Sequence, residues 1–399
     1  MKRKSKITLL CTLALMLSLI LSLGGCGSTG TAADGQGKEE GPIIIGHNAS
    51  LTGTGARFGL AEVNALDMYV KQVNEGGGIL GRQLKVIHYD NKGDQAEAVN
   101  ICTRLIGEGI IAMIGPSQSG NAIACAAICE EKKIPLITTT GTNELLTVPK
   151  GQDKALEYAF RVCFIDPYQG SVAATFAYED LGGRKAAILT DVGSDYSTYL
   201  GKYFTGTFEA LGGSIVAHES FRSEELEYKA QLAKIKESGA DILYLPSTHT
   251  QGALAMKQAR ELGMTCEFIG CDNWPTQELM DIAGSAAQGA YLVNSASMED
   301  PLLADFVKQY RETYKEDPVM PNPAFALDAI MVLKAAIEDL GNTNTEEVAN
   351  WMANAKDVRV LTGVFTNDPA THNPIGKNAV IEQVSGDGFA YVKTVSAAQ

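Results

Sequence analysis

The chain is short of histidine, of closely spaced cysteine pairs and of positive charge, and each shortage removes a class of function. Five histidines are scattered through 399 residues, and no two cysteines stand as C-x-x-C. Structural zinc takes its ligands at such short spacings, so no metal centre is expected. Lys and Arg number 33 against 47 Asp and Glu, a formal net charge of −14. An acidic surface repels phosphate backbones, which argues against nucleic acid as a partner. Beyond the N-terminal segment no apolar run is long and uncharged enough to span a bilayer. Short internal repeats and low-complexity blocks are absent from the part that reads as folded.

What is present begins with an address. Lys2, Arg3, Lys4 and Lys6 precede an apolar run over residues 7–23, which closes on Leu23-Gly24-Gly25-Cys26. A positive start, an apolar middle and small residues at the cleavage point are the layout of a secretory signal. The ending resembles the lipobox of bacterial lipoproteins, which implies removal of residues 1–25 and a lipid on Cys26. An uncut transmembrane anchor is the alternative, with a run at the short end of the roughly 17–25 residues that cross a bilayer. The lipid reading puts the mature protein outside the cytoplasm, tethered to the cell membrane. Loss of the four basic residues would leave 29 Lys and Arg against 47 acids, a net charge of −18. Residues 26–41 are small, polar and glycine-rich, the composition of a flexible linker. Cys102, Cys125, Cys129, Cys163, Cys266 and Cys271 would allow three disulfides of unspecified connectivity. They read better as small buried hydrophobes.

About 370 mature residues exceed one typical core, so two domains are expected. From Pro42 onward short β-rich runs alternate with amphipathic helical patterns. Strands are expected at 43–48, 83–90, 110–115, 135–140, 185–190, 214–221, 241–245, 267–270 and 289–293. Helices are expected at 59–74, 96–106, 121–131, 169–181, 197–211, 226–237 and 251–262, with Gly-Gly pairs at 182–183 and 212–213 as stops. Such alternation, with nearly continuous apolar strands, gives α/β lobes: parallel sheets covered by helices on both faces. The pattern resets around 160–168, a helix-rich stretch covers 301–354, and strands at 358–366 and 379–384 must join a sheet already formed. The expectation is two doubly wound lobes joined by a multi-crossover hinge. Lobe one takes residues 42–163 plus 296–362, and lobe two 164–295 plus 363–399.

Several motifs bear on chemistry. Gly53-Thr-Gly-Ala-Arg-Phe-Gly59 looks like a dinucleotide fingerprint, but Ala49–Thr52 separate it from the strand it should follow. A tight turn needing backbone freedom is the simpler reading. Gly115-Pro-Ser-Gln-Ser-Gly120 is not a hydrolase elbow, since Ser119 stands where G-x-S-x-G needs glycine. It opens a helix, where free N–H groups and the dipole favour an anion such as a carboxylate. Ser119 as a mere helix cap is the alternative. Residues 135–142, PLITTTGT, end a strand in hydroxyls, and open α/β sheets bind ligands outside those strand ends. Thr140 and Thr142 thus face the same crevice as Ser119, and hydroxyls with backbone N–H groups suit a carboxylate without a full positive charge. From the other half, residues 268–274, FIGCDNW, end a strand with Asp272 for an ammonium and Trp274 for an apolar side chain. Tyr196, after the strand at 185–190, adds a second aromatic.

Together these residues resemble the type I periplasmic binding proteins, in the leucine/isoleucine/valine-binding branch of ABC importers. The likeness runs from about Ile43 to the C-terminus through Leu51-Thr-Gly53, Asn74-Glu-Gly-Gly-Gly-Ile-Leu-Gly81, Tyr89-Asp90, Ile114-Gly115, Asp166-Pro-Tyr-Gln-Gly170, Lys257-Gln-Ala-Arg260 and Gly270-Cys-Asp272-Asn-Trp274. It implies that Ser119 and Thr142 hold an amino-acid carboxylate, that the Thr140 carbonyl and Asp272 take the ammonium, and that Phe58 and Tyr196 wall the side-chain pocket. Thr248 falls where some members place a tyrosine, implying a larger or more polar pocket. No cofactor and no catalytic residue are implied. The resemblance further implies hinge closure over the ligand and docking on a membrane permease with its ATPase. Two other classes remain open at this point: a sensory module of the same fold, and an extracellular hydrolase using Ser117 or Ser119.

Overall fold

The computed structural model describes residues 41–396 apart from Thr54, so the signal segment and Cys26 lie outside the described residues. The first sheet is built from β1 (Ile43–Ala49), β2 (Leu84–Asp90), β3 (Ala112–Ile114), β4 (Leu136–Thr138) and β5 (Ala159–Arg161). Its order is β2-β1-β3-β4-β5 and every pair is parallel. Strand order reverses at β1, so the crevice beyond the carboxyl ends of β1 and β3 is a topological switch point. Helices α1 (Ala56–Glu75), α2 (Gln95–Gly107) and α3 (Ser119–Lys132) make the crossovers. The Gly53–Gly59 run serves close packing here. A Cβ on Gly59 would lie 2.1 Å from the Ser50 carbonyl oxygen, so only glycine lets α1 start against the end of β1.

After α4 (Asp166–Thr175) the pattern repeats. β6 (Lys185–Asp191), α5 (Asp195–Ala210), β7 (Ser214–Phe221), α6 (Lys229–Ser238), β8 (Ile242–Tyr244), α7 (His249–Glu261), β9 (Glu267–Gly270), α8 (Gln277–Ala283) and β10 (Tyr291–Asn294) follow in turn. The chain then returns to the first lobe as α9 (Ala304–Tyr314), α10 (Asn322–Leu340), α11 (Thr345–Ala353) and the short pair β11 (Val358–Val360) and β12 (Gly363–Phe365). Helix α10 carries Ala, Leu, Ile and Val on nearly every face and is buried through most of its length, as an all-round apolar helix must be. Last come β13 (Ala379–Ser385) and β14 (Gly388–Val395), which complete a seven-stranded sheet, β14-β13-β10-β9-β8-β6-β7. Only the two late strands are antiparallel to their neighbours.

The cores of the two lobes divide at Cys163 and Phe164: Val162 and Cys163 pack with the first sheet, which has a cluster on each face, and Phe164 with the second. The return to the first core begins at Ala296. The last crossing falls later than residue 363. Phe365 belongs to the first core, His372 stacks on Phe160 with ring centroids 4.5 Å apart, and Lys377 pairs with buried Asp328 at 3.1 Å. The chain joins the second sheet only at Ala379, because β11 and β12 bond to each other and to neither large sheet. The six cysteines named above are free and buried.

Candidate functional site

Two loops of the first lobe meet at its switch point. Thr138, ending β4, donates its hydroxyl to the Pro116 carbonyl at 2.6 Å and accepts the Gly141 N–H at 2.9 Å. A Cβ on Gly141 would stand 2.5 Å from that same hydroxyl oxygen, so the turn requires glycine. Ser119 is the first residue inside α3, not its cap; Gln118 holds the cap position and makes no side-chain cap bond. The buried Ser119 hydroxyl accepts the Asn143 N–H at 3.4 Å. Thr142 is fully buried with its hydroxyl unpartnered. The Thr140 hydroxyl is tied to the Ser117 carbonyl and to the Asn322 amide, both at 3.3 Å.

A full positive charge does lie behind these hydroxyls. Arg161, with no exposed surface, donates to the Gly141 carbonyl at 2.7 Å and the Asn143 carbonyl at 2.8 Å. It scaffolds the loop that carries Thr142. Burial lowers its pKa, but a guanidinium stays charged in proteins.

The second lobe contributes acids. Asp272, just past β9, is buried and accepts the Tyr196 hydroxyl; burial raises its pKa to about 6. Tyr196 sits in the first turn of α5, where the Ser194 hydroxyl caps the Ser197 N–H. Asp166 opens α4 fully buried, its carboxylate beside the Thr142 hydroxyl but without a well-formed hydrogen bond to either oxygen. Burial above all pushes it up to about 8; the Asp272 and Glu144 charges add to this, while Arg161 and the nearby Thr142 hydroxyl oppose it. Gln169 Oε1, the Tyr244 hydroxyl, Glu144 Oε2 and Asn143 Nδ2 are also buried without partners. Each such group costs about 1–3 kcal/mol. That cost gathers where Thr142, Asn143 and Glu144 of one lobe face Asp166, Gln169, Tyr244 and Asp272 of the other.

The lobes touch around this place. The Tyr203 hydroxyl on α5 donates to Glu144, and the Phe58 ring meets the His249 ring edge-on at 5.7 Å. A Cβ on Gly120 would come within 3.6 Å of Asp195. Ser119 and Thr142 thus stand on adjoining loops of the first lobe, Asp272 and Tyr196 bond each other in the second, and Phe58 meets the second lobe at His249. Two expected residues stand elsewhere. Trp274 has no exposed surface, donates its indole N–H to the Ser247 carbonyl at 3.2 Å, and fills the space left by Gly252 and Gly270. It is a core residue of lobe two and covers no cleft. Thr248 is exposed and caps α7 through a capping box with Gln251, which occupies its hydroxyl.

Asp166, Gln169, Glu144, Tyr244 and Arg161 are the residues that sequence reasoning missed. The signal for two of them was present: in Asp166-Pro-Tyr-Gln169 the i, i+3 spacing at a helix start puts both side chains on one face.

Residues 42–388 match the family described as Periplasmic binding protein, and the chain belongs to it. Members of this family bind substrates for transporters and are not enzymes, which removes the hydrolase reading of Ser117 and Ser119. Within it the chain is a type I protein of the branched-chain amino acid branch. It is 27% identical over 326 residues to Leu/Ile/Val-binding protein homolog 3 of Brucella melitensis, covering 81% of this chain and 86% of that protein. Among solved structures it resembles the leucine binding protein LivK of Thermotoga maritima, with a TM-score of 0.81, 30% identity and coverage of 88% and 98%. It is equally similar to LivJ of Streptococcus pneumoniae in complex with isoleucine, at TM-score 0.81, 29% identity and coverage of 89% and 100%. A benzoate complex of a solute binding protein from R. palustris shares the fold, at TM-score 0.78 and 23% identity.

Proposed function

We propose that this chain is the extracytoplasmic, lipid-anchored substrate-binding protein of an ABC importer, which closes its two lobes over one amino acid and delivers it to a membrane permease. The single observation that carries the binding reading is the set of buried, unpartnered polar groups contributed by both lobes. A zwitterion answers them. Its carboxylate would lie against Ser119, Thr142 and the first turn of α3, which leaves backbone N–H groups free. Its ammonium would lie between Asp272 and Asp166, with the Thr140 carbonyl nearby. Charge-assisted bonds in a water-poor cleft are stronger than neutral ones. Phe58 and Tyr196 would border the side chain, and the relatives favour a branched aliphatic one. A benzoate, having no ammonium, would leave two buried acids facing an aromatic acid, and is disfavoured. Lipidation of Cys26 and the permease rest on the sequence motif and on the family.

Thermal-shift measurements with leucine, isoleucine, valine and benzoate test the reading, since a ligand selective for the native state raises the midpoint by mass action. Stabilisation by one or more of the three amino acids is expected. Stabilisation by benzoate alone would overturn the ammonium assignment, and no response to any would overturn the ligand class. Mass spectrometry of the membrane fraction should find diacylglycerol on an N-terminal Cys26.

A further inference from the structure

Behind the ligand loop runs a chain of titratable side chains that binding itself leaves unused. Glu62, on the buried face of α1, accepts the Thr139 hydroxyl at 2.6 Å and the Asn322 amide at 2.9 Å on one oxygen. Its other oxygen lies 3.2 Å from His47 Nε2, and both side chains are wholly buried. His47 on β1 is in register with His88 on β2, and their Nδ1 atoms are 2.8 Å apart. His88 Nε2 in turn lies 3.2 Å from the exposed carboxylate of Asp67. At the inner end, Asn322 also donates to the Thr140 hydroxyl. Glu62 therefore holds Thr139 directly and Thr140 through Asn322.

A carboxylate at each end only accepts, so both Nε2 atoms must carry hydrogen. The Nδ1–Nδ1 contact needs one hydrogen more. Three hydrogens on two imidazoles is one above the neutral count, so the pair carries a single positive charge. We propose that Glu62 is a positioning residue for the ligand loop, held in place by one extra proton on the His47–His88 pair. The assignment rests on residues 139–142 being the ligand loop. Burial, and then the neighbouring imidazole, push the His88 pKa down to about 4, which disfavours the extra proton on the outer ring. Glu62 and Asp67, both from α1, are the charges facing the pair; β3 opposes His47 with Ile114, and α10 brings the uncharged Asn322. A buried carboxylate stripped of that partner is costly, which is why the proton and the loop position are linked.

The test is Glu62→Gln in the full mature chain, with His88→Asn as a second variant that spares every contact to the loop. Glutamine keeps an oxygen for Thr139 and Asn322 but meets His47 with an amide, which repels the extra proton. Histidine titration by NMR should then shift down by at least one pH unit. Amide exchange over residues 139–143 in unliganded protein should quicken at least tenfold at pH 7, and the dissociation constant for L-leucine should rise at least tenfold. His88→Asn should quicken the same exchange. Unchanged titration together with unchanged exchange in Glu62→Gln, or unchanged exchange in His88→Asn should the first variant not fold, overturns the proposal. If the unaltered protein binds no L-leucine, the functional reading fails, and titration and exchange still decide this one.

Discussion

Replacing Asp272 by Asn separates binding from folding. The carboxylate is buried, accepts only the Tyr196 hydroxyl among the hydrogen bonds described above, and has its pKa raised to about 6 by burial. Against an ordinary 3.8 that is a shift of about two units, or roughly 3 kcal/mol of instability once the group is ionised. The folded state holds the proton more tightly than the unfolded one, so this instability is absent below about pH 4. It develops as pH rises and is complete above about pH 6. Asparagine cannot ionise and still accepts the tyrosine hydroxyl. At pH 8 the unliganded variant should therefore melt at or above the parent midpoint, by an amount that vanishes near pH 4. Its affinity for leucine or isoleucine should fall, since breaking a buried charge pair costs about 2–4 kcal/mol, roughly 30- to 1,000-fold. Differential scanning fluorimetry with and without ligand, followed by titration calorimetry, reads both quantities. A variant that melts many degrees lower yet keeps its full ligand shift would refute the reasoning, because Asp272 would then be a structural acid.

Three further outcomes are expected. Asp166, pushed up to about 8, adds a second proton of the same sign, so between about pH 4 and pH 8 unliganded stability should fall as pH rises while leucine affinity grows; calorimetry in buffers of different ionisation enthalpy should register proton release on binding near pH 7. Arg161→Met strands the buried Gly141 and Asn143 carbonyls and should cost about 3–5 kcal/mol in urea unfolding, with ligand binding lost alongside. Trp274→Ala should cost about 3–5 kcal/mol through its cavity; Trp274→Phe, which keeps most of the ring, should bind leucine within threefold of the parent.

The fold was legible wherever one element answers to one period. Apolar runs such as Ile43-Ile44-Ile45, bounded by glycine and followed by a 3.6-residue pattern, admit little besides a doubly wound sheet. The hydroxyl loops were legible for the same reason, since they follow directly on strand ends. Trp274 was not, because the ring sits between the nearby Gly270 and the distant Gly252 of α7, and a local sequence does not record that second neighbour. Thr248 was assigned by position in a family pattern while its neighbour Gln251 already announced a capping box. Asp166 figured only as part of the Asp166–Gly170 segment of the family likeness, ahead of a helix expected from 169. Its burial comes from the facing lobe. The last crossing was placed too early because β12 reads as a strand, and strand propensity does not say which sheet a strand joins.

Late arrival of β13 and β14 has a consequence for how such a chain matures. Until residue 379 emerges, β10 keeps an open flank, and the larger sheet lacks its last two members. A polypeptide released N-terminus first can thus finish the smaller sheet early while the larger one, which carries Asp272 past β9, still lacks an edge. Proteolytic loss of the final twenty residues would strip β14 and nearly all of β13 from the larger sheet while leaving every strand of the smaller one in place.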